Sequence, residues 1–200
     1  MNKRNRKTVY LENKYEYKGV SYPILQGPQG AYVQILNKTL EQLHAAVSIH
    51  NRVLVYRFDL HVNYYEKDNQ RLSKFINRLK TWISREYSMN HIGYIWVREM
   101  EKSKKQHYHV AIFLDGNKIQ HPNRIKQYIE RTWAVHGHAA YVPKPFYYID
   151  KHNADTKLPE TVRRISYLAK VRGKGYRDRQ AKDYSASRLN PRLQAMTTTK

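Results

Sequence analysis

The chain contains no cysteine, which excludes disulfides, cysteine-ligated zinc and thiol nucleophiles. That absence fits a reducing cytoplasm, where the protein is expected. No apolar run approaches the ~18 residues of a membrane span. Met1-Asn2-Lys3-Arg4-Asn5-Arg6-Lys7 is followed by no apolar segment, so it does not read as a secretory signal. A glycine loop ending in Lys and Ser or Thr is also missing, so no helicase-type nucleotide site is expected. Acidic residues are scarce: 16 Asp and Glu stand against 37 Lys and Arg, a formal charge of +21 over 200 residues.

What is present follows from that imbalance. Such an excess of cations calls for a polyanionic partner, most often nucleic acid. Eighteen tyrosines accompany the charge, and aromatic rings among cations suit unpaired bases, although ordinary half-buried packing accounts for most tyrosines. The first 36 residues are basic and Tyr-rich and read as an arm, with Gly27-Pro28-Gln29-Gly30 as a loop. A short helix over 38–50 follows, with Leu40, Leu43, Ala46 and Val47 on one side.

From Val53 to Val62 the even positions are Leu, Tyr, Phe, Leu and Val, while Arg57, Asp59 and His61 occupy odd ones. Alternation of this kind is a strand with one apolar and one polar face. A helix over 69–88 carries Leu72, Phe75, Ile76, Leu79, Trp82 and Ile83 as its stripe. A strand over 92–99 is linked by Glu101-Lys102-Ser103-Lys104-Lys105 to a second strand starting at Gln106, as a hairpin. Pro122 opens another helix, 139–149 reads as a strand interrupted by Pro143 and Pro145, and a last helix covers 159–171. A basic tail runs over 172–200. The order from residue 53 predicts an α+β fold of the ferredoxin-like, RRM-like type, β-α-β-β-α-β, with helices on one face of an antiparallel sheet.

His107-Tyr108-His109 lies in the strand that begins at Gln106. Alternation puts both imidazoles on one face, ~7 Å apart, opposite Tyr108, Val110 and Ile112. Glu99 falls on the same face, as do Arg57, Asp59 and His61. Two His and one carboxylate suit Mn²⁺ or Mg²⁺, with Zn²⁺ as another candidate. Glu99 is the preferred third ligand, with Asp59 and Glu101 as competitors. His136-Gly137-His138 is set aside, because its glycine suits a helix-terminating turn better than a rigid strand.

A phosphodiester would also need a nucleophile. Tyr167, in Arg163-Arg164-Ile165-Ser166-Tyr167-Leu168-Ala169-Lys170, has Arg163, Arg164 and Lys170 three or four residues away, on its own helix face. A phenol attacks poorly unless cations or a metal favour its phenolate. The plain alternative is a tyrosine at the core edge with solvated basic neighbours.

Together, His107-Tyr108-His109 and the downstream Tyr167-Leu168-Ala169-Lys170 resemble the HUH endonucleases of the single-tyrosine Rep type. They are most like the replication initiators of filamentous phages and their prophage-encoded relatives. The hairpin strand Tyr94-Ile95-Trp96-Val97-Arg98-Glu99 fits the same pattern, and the resemblance covers about 53–190. It implies an endonuclease domain over 37–171 that nicks and rejoins single-stranded DNA at an origin hairpin, using Tyr167, Lys170 and a metal on His107, His109 and Glu99. Arg57, Arg163, Arg164, Lys104, Lys105, Arg172 and Lys174 would contact DNA, and a host polymerase and helicase would be partners. Arg163 and Val171 stand where two-tyrosine relatives carry a second tyrosine, so a single-tyrosine version is expected. A single-tyrosine transposase and a non-catalytic RRM-like nucleic-acid binder are the competing readings.

Overall fold

The structure, a computed structural model, describes residues 8–100, 106–175, 178 and 181–192. Among these the protein is α+β, with a mostly antiparallel sheet and four α-helices. Residues 8–32 form two small antiparallel pairs: β1 (Val9–Tyr10) with β4 (Ala31–Tyr32), and β2 (Lys14–Tyr17) with β3 (Val20–Pro23). Helix α1 (Val33–Ile49) leads into the long strand β5 (Arg52–Val62), then α2 (Gln70–Glu86), β6 (Gly93–Met100) and β7 (Gln106–Asp115). After α3 (Asn123–Trp133) come β8 (Gly137–Ala140), β9 (Phe146–Asp150), α4 (Ala154–Ile165), a 3-10 helix over Ser166–Ala169 and β10 (Tyr184–Ala186).

The main sheet has the order β10-β6-β7-β5-β8, and β9 pairs with the other end of β5 beside β8. The strand expected over 139–149 is therefore two strands on one edge of β5. Proline explains the break, since Pro143 and Pro145 have no N–H to give a ladder. The Pro145 carbonyl still accepts the Arg57 N–H at 2.7 Å.

The even face of β5 packs as expected. Leu54, Tyr56, Phe58 and Leu60 meet Leu72, Phe75, Ile76, Leu79 and Ile83 of α2, and Ile125, Ile129 and Trp133 of α3. These helical residues recur at three- and four-residue spacing, which places them on one side of each helix. At roughly 25 cal/mol per Å² of apolar surface removed from water, this layer and its counterpart are the dominant stabilising terms.

The other face departs from expectation, because it is not open throughout. Val53, Val55, Ile95, Val97, Ala111 and Phe113 are buried beneath Ile35, Leu36, Leu40, Leu43 and Ala46 of α1 and Val162 and Ile165 of α4. Tyr15, Tyr22, Ile24 and Ala31 belong to the same cluster. The stretch read as an N-terminal arm is thus folded from residue 8 onward, and the helix after it starts at Val33 rather than 38. The expected 172–200 tail also contributes structure: β10 pairs with β6, with Ser185 opposite Trp96. The helix expected over 159–171 begins earlier, at Ala154, and tightens to the 3-10 form at Ser166. Ser166 fixes that change by accepting the Leu25 N–H and donating to the Arg163 carbonyl, both at 2.8 Å. No helix among the described residues is long and apolar enough to cross a membrane.

Candidate metal and nucleophile site

The polar residues of the odd face lie just beyond the edge of the α1/α4 layer. Strand register assembles them: Glu99 of β6 is opposite His107 of β7, and His109 is opposite Asp59 of β5. One ligand atom from each of Glu99, His107 and His109 falls within 4.8 Å of the others. Glu99 Oε2 is 3.6 Å from His107 Nε2 and 3.3 Å from His109 Nε2. Glu99 and His109 are buried and His107 is half-buried.

Asp59, entertained as a ligand, has a different position. Its Oδ1 is 2.8 Å from His109 Nδ1, on the opposite edge of the imidazole from Glu99. A carboxylate there takes the Nδ1–H and leaves Nε2 as a lone pair, the arrangement that orients metal-ligating histidines. His109 Nε2 is buried and makes no hydrogen bond, although it faces a carboxylate oxygen. A cation between two such acceptors would satisfy both, so this donor set fits a divalent ion. Burial pushes the Asp59 carboxyl up, but its bond and charge contact with His109, together with Arg57, hold it below the usual range. Burial likewise pushes Glu99 up; His107, His109 and Lys174 outweigh it and keep it ionised far below ordinary glutamate values.

Tyr167, on the 3-10 helix, packs its ring edge-on against His109 with centroids 5.5 Å apart. Arg57 lies over the same ring at 4.6 Å, and Lys170 Nζ donates to the Tyr167 hydroxyl at 2.5 Å. Lys170 Nζ is also 3.3 Å from Glu99 Oε2. Phenol, ammonium, carboxylate and both imidazoles therefore share one site. Of the residues expected at DNA, two have other roles. Arg57 is buried and paired with Asp59 at 3.2 Å. Lys174 has a fully buried side chain and donates to Glu99 Oε1 and to the Lys170 carbonyl, both at 2.6 Å. Arg163 and Arg172 are exposed, and Arg164 donates to the Pro143 carbonyl at 2.7 Å. Glu101, Lys104 and Lys105 lie outside the described residues.

The loop carrying Lys174 is shaped for Glu99. Gly173 has φ +79°, and a Cβ there would come within 3.1 Å of Glu99 Oε2. Glycine is the residue that allows both the left-handed backbone and the close approach. Met100 N–H donates to the Gly173 carbonyl at 2.8 Å, closing the loop over β6. The Lys170-x-x-Gly173-Lys174 spacing was the sequence signal for this part of the site, and composition alone disguised it as a basic tail.

A family model for the YagK/YfjJ C-terminal domain matches residues 16–182. The chain belongs to that family. It is prophage-associated, and the matched span includes Glu99, His107, His109, Tyr167, Lys170 and Lys174 as well as most of the N-terminal hairpins. No curated protein and no solved structure matches the chain.

Proposed function

We propose that this protein nicks and rejoins single-stranded DNA through a covalent 5′-phosphotyrosine, and so starts rolling-circle replication of a phage or prophage element. One observation carries the reading: the Tyr167 hydroxyl, held by Lys170, stands beside the Glu99–His107–His109 group. The prophage association of the family supports the setting. The antiparallel order β6-β7-β5-β8 supports the ferredoxin-like arrangement anticipated for such enzymes. The charge of +21 supports a nucleic-acid substrate.

In the forward step Tyr167 Oη attacks the phosphorus of the scissile diester. A P–Oη bond forms as the P–O3′ bond breaks. The phenolic proton passes to water, and the departing oxygen takes up a proton to become a free 3′-OH for a host polymerase. Rejoining runs the same exchange backwards, with the tyrosine oxygen leaving. Lys170 fixes that oxygen and stabilises its negative charge in both directions. Arg57 holds the ring face. Mn²⁺ or Mg²⁺ bound by His107, His109 and Glu99 would draw charge from the non-bridging phosphate oxygens. Origin hairpin DNA and a host helicase complete the expected partners, in the cytoplasm of the host.

The test is a denaturing gel after incubation with Mn²⁺ and labelled single-stranded oligonucleotides. A protein–DNA adduct is expected, absent in Tyr167→Phe, which should still bind DNA. His107→Ala should remove metal-dependent cleavage. An adduct that survives Tyr167→Phe overturns the assignment of the nucleophile. Tight binding with no adduct under either metal would favour the non-catalytic binder. Adducts only on the terminal hairpins of an insertion element would favour the transposase.

A further inference from the structure

Four side chains form a row across four adjacent strands. His138 is opposite His61, His61 is opposite His107, and His107 is opposite Glu99. The three imidazoles stack like plates. His138 and His61 have centroids 4.9 Å apart and planes 14° apart; His61 and His107 are at 5.1 Å and 11°. These separations follow the strand spacing of about 4.7–4.9 Å. The row starts at the metal-binding group and ends on β8, the last strand in the sheet order, where His138 is exposed.

The glycine between the two histidines of His136-Gly137-His138 makes this approach feasible. A Cβ on Gly137 would fall 1.9 Å from the His61 carbonyl oxygen, so any side chain there would push β8 off β5 and separate the rings. Hydrophobic packing does not account for the outermost ring, because His138 is exposed on the edge strand β8.

We propose that the outward face of His138 is a stacking platform for one unpaired nucleobase, the last plane of a ladder whose inner end is the ligand His107. The inference rests on the reading that the protein acts on single-stranded DNA. Two strand spacings separate His107 from His138, about 10 Å. At 3.4 Å of rise per stacked nucleotide, the base would lie roughly two or three nucleotides from a phosphate held by a divalent ion on Glu99, His107 and His109. Aromatic planes of this kind bind bases with little regard to sequence, because every base has a π-face.

Oligonucleotides carrying 2-aminopurine at successive positions, mixed with the full chain bearing Tyr167→Phe in Mg²⁺, test this without any cleavage. One position near the scissile phosphate should lose fluorescence by stacking. His138→Ala should restore that fluorescence and weaken binding about five- to tenfold, whereas His138→Phe should keep both the quench and the affinity. Undiminished quenching in His138→Ala, or equal loss in His138→Phe and His138→Ala, overturns the platform. The Tyr167 adduct separates this proposal from the wider one. An adduct without position-specific quenching removes the platform alone, and quenching without an adduct removes the nickase alone. Failure to bind single strands at all removes both.

Discussion

One sheet face has two halves built on the same three strands. On one half, Val53 and Val55 of β5, Ile95 and Val97 of β6 and Ala111 and Phe113 of β7 lie under α1 and α4. On the other, Arg57, Asp59 and His61 continue β5, Glu99 continues β6, and His109 and His107 end the series on β7. Side-chain alternation is unbroken across the boundary, so the backbone does not distinguish the halves. What differs is the layer above. Helices cover the positions that must be dry and stop where charge begins, and the 3-10 helix with Tyr167 stands at that border. A rigid apolar half thereby fixes the spacing of a polar half that could not hold itself together, since buried charges need exact partners rather than packing.

Exchanging the character of the halves should give the largest effect. Val55→Asp would bury an unpaired carboxylate beneath α1 and should prevent folding, read as loss of a cooperative thermal transition. Phe113→Ala, an ordinary core truncation in the same half, should cost about 3–5 kcal/mol in denaturant titration. On the polar half, Lys174→Met removes the shortest ion pair of the buried Glu99 carboxylate, which keeps Lys170 and the histidines, and should cost about 1–3 kcal/mol, while Glu99→Gln with Lys174→Met should regain most of it. If the double variant is no more stable than the single one, the pair does not act as a unit.

Smaller effects sharpen the boundary. Asp59→Asn should lower divalent-metal affinity by roughly 10–100-fold in titration calorimetry, with little change in thermal midpoint, because the change removes the orienting partner of His109 and leaves the core intact. The smallest concerns the covered half. Burial, then the charge of Lys18, pushes His44 below its ordinary value, and its Nε2 is 3.2 Å from the Tyr22 hydroxyl. The folded form resists a proton that the unfolded chain accepts, so stability should fall as pH drops below about 6.5. His44→Phe should flatten that slope; an unchanged slope would place the pH dependence elsewhere.

Sequence periodicity put His107 and His109 on one face of a strand, as found, because parity is a local property of an extended chain. His107, His109 and Asp59 could be put on one face from their own strands, whereas Glu99 joined them only on the condition that Tyr94 and Trp96 face the helices, since Ile95 and Val97 are apolar too. The same rule held a second clue: Val53, Val55, Ala111 and Phe113 are apolar on the supposedly open parity, which calls for a second covering layer. The N-terminal hairpins were harder, since strands of two to four residues have no period to read. Tyr17-Lys18-Gly19-Val20 was their best signal, a two-residue turn in which Lys18 and Gly19 both take positive φ. Arg57 and Lys174 could not be sorted from the other cations, because partners brought from far along the chain decide which ones are buried. In sequence Gly137 resembles a helix stop, yet what it provides is closeness to β5.

The N-terminal loop and the Lys170 segment are stitched together. Gly30 accepts the Val171 N–H at 2.9 Å, Ala31 bridges Lys170, and the Leu25–Ser166 bond joins residues 141 apart in sequence. At ~5–20 residues per second of synthesis, the first hairpins leave the ribosome several seconds before the segment that docks on them. Tyr167 and Glu99 can meet only once both stretches are out, so the nascent chain carries the Glu99–His107–His109 strands before Tyr167 is seated beside them. The site closes last in synthesis, so its parts stay separate until nearly the whole chain has been made.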